Sequence, residues 1–315
     1  MKKVTINNTD LSIAPINFGG NVFGWTLEEA ASFALLDEFK ESGFNFIDTA
    51  DVYSYWINGH GGQSETIIGK WLSSQQRSDI VIATKVGSET KEHGVDISKK
   101  HILKSAEDSL KRLGTDYIDI YYTHYDDEIT PVEETLSAYD ELIKAGKIRY
   151  IAASNISPAR LQESFAAAEQ NNLPKYIALQ PHYNLLEREK FETQYADIVR
   201  ANNLAVFPYW SLAAGFLTGK YREEADFEKS PRGGSVKKYF NEQGLQVLSA
   251  LDKVAAKHQR SVATVSLAWL LANPLVTAPV VSATSSRQLK TLVDAPLLRL
   301  DEADINFLNL SSQPS

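Results

Sequence analysis

Six hydrophobic runs of strand length in this chain each end in a side chain able to do chemistry. Residues 44–47 run into Asp48, 80–84 into Lys85, 117–123 into His124, 148–153 into Ser154-Asn155, 176–179 into Gln180 and 204–208 into Tyr209. Helix-like segments lie between them, and strict alternation of strand and helix implies parallel strands joined by helical crossovers. A (β/α)8 TIM barrel explains why the reactive positions recur where they do. Strand interiors fill the barrel, while strand ends and the loops after them build a site on one face. The expected class is therefore α/β.

The rest of the chain fits that scheme. Residues 4–6 and 11–13 alternate around the turn-prone Asn7-Asn8-Thr9-Asp10, which reads as a β-hairpin closing the barrel bottom, and a short strand follows at 16–19. Helices are expected at 27–42, 64–73, 98–112, 131–145, 158–170 and 187–202. Ser98, Thr130-Pro131 and Ser157-Pro158 are start signals, and Gly43, Gly114 and Gly146 are stop signals. After the seventh strand comes a long excursion through Gly215, Gly219-Lys220, Pro231 and Gly233-Gly234. Helices at 241–257 and 261–272 and an eighth strand at 280–283 follow it. Loops that long in a compact domain are usually functional, and the polar stretch 223–238 is the candidate mobile lid. Residues 1–315 read as one barrel domain.

Composition narrows the function. A net charge of −8 without basic runs argues against nucleic acid or an anionic membrane as partner. The N-terminus lacks the apolar core of a signal peptide, and the longest apolar stretch, near 262–272, is too short to span a bilayer, so a cytoplasmic location is expected. Zero cysteines remove disulfides, thiolate metal sites and cysteine nucleophiles. The six histidines are scattered and no His-Glu-x-x-His occurs, so no metal is expected. There is no Gly-x-Ser-x-Gly elbow for a hydrolase either.

Asp48, Tyr53, Lys85 and His124 suit proton transfer to a carbonyl oxygen if strands two, three and four bring them together. A tyrosine with a pKa near ~10 donates a proton readily near neutrality when a cation stabilises its phenolate. Lys85 can supply the charge, Asp48 can hold Lys85, and His124 can orient the substrate oxygen. Taken singly, each has a plain structural alternative: a strand cap, a surface lysine, a core histidine. The functional reading comes from their conjunction.

Phe46-Ile47-Asp48-Thr49-Ala50-Asp51-Val52-Tyr53, Ala83-Thr84-Lys85, His124 and Ala153-Ser154-Asn155 resemble the signatures of the aldo-keto reductase superfamily. The resemblance runs on through Gly146-Lys147-Ile148-Arg149, Leu179-Gln180-Pro181-His182-Tyr183-Asn184 and Tyr209-Trp210-Ser211-Leu212 to Gly219-Lys220-Tyr221, in order along essentially the whole chain. It implies a catalytic tetrad of Asp48, Tyr53, Lys85 and His124, with Tyr53 as general acid in the reduction of an aldehyde or ketone or in the reverse oxidation. It also implies an extended nicotinamide dinucleotide across the barrel mouth, bound without a Rossmann fingerprint, which this chain lacks. Ser154, Asn155 and Gln180 match the carboxamide positions, Tyr209 matches the ring that stacks on the nicotinamide, and Leu212 follows in the same segment. Ser285, Arg287 and Gln288 fall at the phosphate end. Relatives that prefer NADP place Lys or Arg where this chain reads Ser282-Ala283-Thr284, and Asn at Leu292. Those departures weaken the case for a 2′-phosphate site, but Ser285, Ser286, Arg287 and Lys290 can still reach a phosphate and Gln288 matches the family, so the resemblance favours NADP(H) and leaves NAD(H) open.

Trp25, Trp56 and Tyr125, with Tyr55 and Trp210, lie in or beside the expected loops as walls of a substrate pocket, or as loop anchors. The expected partner is a small carbonyl compound, alcohol or sugar, and the sequence leaves the oligomeric state open. Some similar proteins are channel-associated β subunits, so a nicotinamide-binding, redox-sensing regulatory subunit with little turnover is the alternative reading.

Overall fold

The computed structural model describes residues 1–91 and 94–313; His93 and the last two residues of the expected domain lie outside the described residues. Strands β1 (Val4–Thr5) and β2 (Ser12–Ile13) pair antiparallel, with Val4 opposite Ile13. Eight parallel strands follow: β3 (Asn17–Gly19), β4 (Phe46–Asp48), β5 (Val81–Val86), β6 (Ile118–Thr123), β7 (Ile148–Ser154), β8 (Ala178–Gln180), β9 (Ala205–Val206) and β10 (Val280–Val281). They neighbour one another in chain order, and β10 returns to pair with β3. The last seam is closed by backbone bonds from the Thr277 N–H to the Val206 carbonyl (2.9 Å) and from the Val280 N–H to the Pro208 carbonyl (2.8 Å). This is the (β/α)8 barrel, with its helices in the connections.

Inside the barrel, Phe46, Val81, Ala83, Ile120, Tyr122, Ala152, Ala178 and Phe207 form a core of their own. Ile6, Leu11 and Ile13 of the hairpin join it from below, at 0, 3 and 0 % exposure. Each such burial contributes roughly 1.5–3 kcal/mol, which fixes the hairpin as a plug in the barrel bottom. Asn8 takes a left-handed conformation (φ 61°) at its turn, which asparagine tolerates.

Side chains alternate across a strand, so the residue two places after an inward-facing one also points inward. Phe46 is followed in this way by Asp48, Ala83 by Lys85, Tyr122 by His124, Ala152 by Ser154, Ala178 by Gln180 and Phe207 by Tyr209. The candidate functional residues are therefore the next inward layer above the apolar core. Asp48 neighbours Ala83 in the ladder, and Lys85 neighbours Tyr122, so the layer climbs from strand to strand as the barrel's stagger requires.

The helix signals act as expected. The Ser98 side chain accepts from the His101 N–H at the start of helix Lys99–Leu113, Ser157 accepts from Arg160 at the start of Pro158–Asn171, and Gly114 closes the former at φ 61°. Helix Gln63–Leu72 presses so closely on Lys99–Leu113 that a Cβ on Gly69 would stand 2.2 Å from the Arg112 carbonyl oxygen. Only glycine permits that approach.

Several elements differ from expectation. The helix expected at 187–202 begins two residues later and passes through a π-helical turn at Phe191–Tyr195 before Ala196–Asn202. Strands β9 and β10 are two residues each, although beyond β9 the Phe207 and Tyr209 N–H groups still bond the Leu179 and Pro181 carbonyls at 3.0 and 2.9 Å. Helices Ser286–Val293 and Glu302–Ser311, and the short Tyr55–Asn58, are additional. The long excursion is a series of helical turns at Ala213–Thr218, Glu224–Lys229, Gly233–Val236 and Lys237–Tyr239. No helix among the described residues is long and apolar enough to cross a membrane.

Candidate active site

Lys85 lies completely buried at the end of β5 and donates three hydrogen bonds. One goes to Asp48 Oδ1, one to the Thr49 carbonyl (2.8 Å) and one to Tyr53 Oη (3.0 Å). An ammonium has three protons, and all three are used. Asp48 is equally buried, and its other oxygen accepts from Gln180 Nε2 at 2.9 Å. Tyr53 stands on the turn after β4. The next residue, Ser54, is left-handed (φ 71°) and its hydroxyl donates to the Phe23 carbonyl at 2.7 Å, which pins the strained turn. His124 packs its ring edge-on to Tyr53 at 6.0 Å and pairs through Nδ1 with the Ser88 hydroxyl at 2.7 Å.

Electrostatics gives these groups different protonation states. Burial alone would push Lys85 down, but Asp48 and Tyr53 hold its ammonium above the ordinary value. Burial pushes Asp48 up while Lys85 pulls it back. Burial likewise raises Tyr53 and outweighs the cation, so Lys85 does not by itself produce a low-pKa tyrosine. The phenol keeps its proton at neutral pH, with the Lys85 ammonium 3.0 Å from its oxygen. Burial, then the charge of Lys85, lowers His124 well below the usual imidazole range, so its ring is neutral.

The second set of expected residues is joined to the first. The Ser154 hydroxyl donates to the Gln180 carbonyl (2.9 Å), and Asn155 Nδ2 donates to Ser154 Oγ (3.1 Å) and to the His124 carbonyl (2.9 Å). Tyr209 Oη donates to Asn155 Oδ1 at 2.9 Å, and the His182 ring stacks on Tyr209 at 5.2 Å. Positive φ values gather here, at Asn155 (44°), Trp210 (52°), Ala213 (48°) and Ala214 (55°), where bulky residues rarely adopt them.

The upper members of this network border a cleft of about 1510 Å³, whereas Asp48, Lys85 and His182 are not among its lining residues. The cleft is bordered by Tyr53 and His124, by Ser154, Asn155, Gln180, Tyr209 and Leu212, and by Ser285, Arg287 and Gln288. The side chain of Ser285 caps helix Ser286–Val293 by accepting from the Gln288 N–H, and Gln288 Oε1 accepts from the Thr284 N–H at 2.8 Å. Trp25, Trp56 and Tyr125 line the same cleft, with Trp25 edge-on to Trp56 at 5.4 Å. Lys290, a conceivable phosphate ligand by sequence, instead faces Asp294 at 3.3 Å.

Sequence reasoning did not single out Ser88, the stacking of His182, or the charged network under the site. There Glu65 accepts from Thr84 Oγ1 (2.6 Å) and from Arg112 Nε (2.6 Å), beside Asp51. Glu65 and Arg112 sit on two helices and meet only because Gly69 lets those helices touch; residue spacing carries no sign of that. Burial and the Glu65 carboxylate push Asp51 up to about 7, and its Oδ1 has no hydrogen-bond partner. With an unfolded value near ~4, the folded chain holds a proton there that the unfolded chain has lost. Stability is therefore drawn down as pH rises from about 4 to about 7 and then levels off. Asp51→Asn is expected to raise the melting temperature more at pH 8 than at pH 5. Equal shifts at both pH values would show that Asp51 is ionised throughout.

Residues 15–310 match the model of the aldo/keto reductase family. An uncharacterized oxidoreductase of Bacillus subtilis, YrpG, is 32% identical over 98% of this chain and 95% of its own length. The aldo-keto reductase YhdN of the same organism is 32% identical over 100% of this chain and 96% of its own. A probable voltage-gated potassium channel subunit beta of Oryza sativa is 30% identical over 100% and 98%. The barrel, the cleft at the strand ends and these likenesses agree, and the chain belongs to the aldo/keto reductase family of oxidoreductases.

Proposed function

We propose that this protein reduces an aldehyde or ketone with a nicotinamide dinucleotide, or oxidises the corresponding alcohol or sugar, with Tyr53 as general acid in reduction. The observation that carries this reading is the bond from the buried Lys85 Nζ to Tyr53 Oη, in a cluster that borders the cleft beside a neutral His124. A bound nicotinamide dinucleotide supplies the hydride that such a reduction needs.

The cleft suits that group. Tyr209 borders it with one ring face covered by His182, and Ser154, Asn155 and Gln180 bring hydroxyl and amide groups of the kind a carboxamide needs. Arg287 borders it without a carboxylate partner among the described residues, as a phosphate ligand should. This chain's residues then divide the work. Trp25, Trp56 and Tyr125 wall the substrate, His124 in its neutral form hydrogen-bonds the carbonyl oxygen, and Tyr53 delivers a proton to that oxygen. Lys85, held by Asp48, stabilises the phenolate that remains.

Titration with NADPH and NADH, followed by turnover of aromatic aldehydes and sugars, tests the reading. NADPH is the expected tighter ligand. Arg287→Ala is expected to weaken NADPH by about tenfold while NADH moves little, since a guanidinium–phosphate contact is a strong charge-assisted bond. Equal loss for both would remove Arg287 from the 2′-phosphate. A second reading, a redox-sensing regulatory subunit, draws on the full-length likeness to a protein named as a potassium channel β subunit. Tight cofactor binding with negligible turnover, together with a stable partner complex, would favour it.

A further inference from the structure

His124 is held from three sides at the end of β6. Its backbone N–H donates to the Val86 carbonyl at 2.8 Å, its carbonyl accepts from Asn155 Nδ2 at 2.9 Å, and its Nδ1 pairs with the Ser88 hydroxyl at 2.7 Å. Ser88 arrives there through Gly87, which leaves β5 at φ 96°, a conformation that a residue with a side chain rarely adopts. A Cβ on Gly87 would also stand 2.6 Å from Ile97 Cγ2. Ser88 is 7 % exposed and His124 is 9 %, so their bond is made almost out of contact with water.

A neutral imidazole has one N–H, so one ring nitrogen donates and the other accepts. The hydrogen bond made at one of them decides which tautomer is present. A carboxylate against Nδ1 could only accept, so it would draw the ring proton to Nδ1, leave Nε2 as an acceptor and favour the imidazolium. His124 has no such neighbour. Burial and then Lys85 act on it, both against a second proton, and among the described residues Ser88 is the ring's hydrogen-bond partner. A carbonyl oxygen also only accepts, and a ring that serves one must carry its proton on Nε2, remote from Ser88. Nδ1 must then accept a hydrogen bond, and the Ser88 hydroxyl is the donor in place. The reverse arrangement, with Nδ1–H donating to Ser88 Oγ, would set the Nε2 lone pair against the lone pairs of the substrate oxygen.

We propose that Ser88 is a positioning residue that donates to His124 Nδ1 and so holds the neutral ring in the Nε2–H tautomer, the one able to donate to a substrate carbonyl oxygen. Its effect passes through the imidazole, which lies edge-on to Tyr53 at 6.0 Å. The phenol and Nε2–H are then both donors, as a single accepting oxygen requires. The inference rests on the carbonyl-reductase reading above.

The test joins nitrogen NMR of histidine-labelled protein with kinetics. Comparison with His124→Gln assigns the His124 resonances, which report the tautomer directly. The Nε2–H form is expected in the wild type and in Ser88→Thr, which keeps the hydroxyl, and a mixture with Nδ1–H is expected in Ser88→Ala. In reduction of 4-methylbenzaldehyde with saturating NADPH, Ser88→Ala is expected to lower kcat by about five- to tenfold, the scale of one hydrogen bond, and Ser88→Thr to stay within about twofold of the wild type. In a His124→Gln background Ser88→Ala is expected to cost less than about twofold, because the ring it acts through is gone. An Nδ1–H ring in the wild type, an unchanged tautomer in Ser88→Ala, or an equal loss of kcat in both backgrounds overturns the inference and leaves the reductase reading standing. No turnover of any aldehyde by the wild type with NADPH or NADH removes the reductase reading and this inference together.

Discussion

Tyr53→Phe is expected to lower carbonyl reduction by about 10²- to 10⁴-fold while cofactor affinity changes by less than about threefold, because the substitution deletes one proton donor and almost no volume. At about 1.4 kcal/mol per tenfold, this corresponds to roughly 3–5.5 kcal/mol of transition-state stabilisation. The phenol is well placed to show so large an effect. Its proton is retained at neutral pH because burial raises it, and Lys85 Nζ stands 3.0 Å from the oxygen that becomes negative. Phe fits the same turn, which is held by Ser54 and the Phe23 carbonyl and not by the phenol. The measurement is single-turnover reduction with saturating cofactor. A variant as fast as the wild type would move the proton source elsewhere and end the proposed mechanism.

The barrel and the first layer of the site were legible because both follow from strand periodicity. Residues 46–48 and 83–85 are an inward apolar residue, an outward one and an inward polar one, and that alternation is visible in one dimension. Contacts made across helices or through irregular loops have no such period. Glu65 meets Arg112 only through the helix contact at Gly69, and Arg232 reaches Trp25 only through a chain of short helical turns. The direction of the Tyr53 shift was hidden for a related reason. Sequence names the cation that lowers a phenol but not the depth of burial that raises it, and burial prevails here. Likewise Gln180 reads as a carboxamide ligand, while in the fold its amide also steadies Asp48.

Lys85→Met is expected to be the most damaging single change in both activity and stability. The side chain it replaces is wholly buried, and its loss leaves Asp48, also wholly buried, with Gln180 as its remaining side-chain partner. Removing one member of a buried ion pair typically costs about 3–5 kcal/mol, since the other charge stays uncompensated. The deficit should depend on pH in a definite direction. Asp48 is already raised by burial, and without Lys85 the restraint on that rise disappears. The folded variant then binds a proton that the unfolded chain has released, so its stability declines as pH rises above the unfolded carboxylate value of about 4. The melting-temperature deficit should accordingly be smaller at pH 5 than at pH 8. Adding Asp48→Asn removes the stranded charge and should restore much of the stability, yet it cannot restore reduction, because the cation that stabilises the Tyr53 phenolate is still missing. If the single variant melts with the wild type at both pH values, the pair is not the buried ionic support that the geometry describes. If the double variant regains activity along with stability, Lys85 serves the fold alone and Tyr53 acts without it.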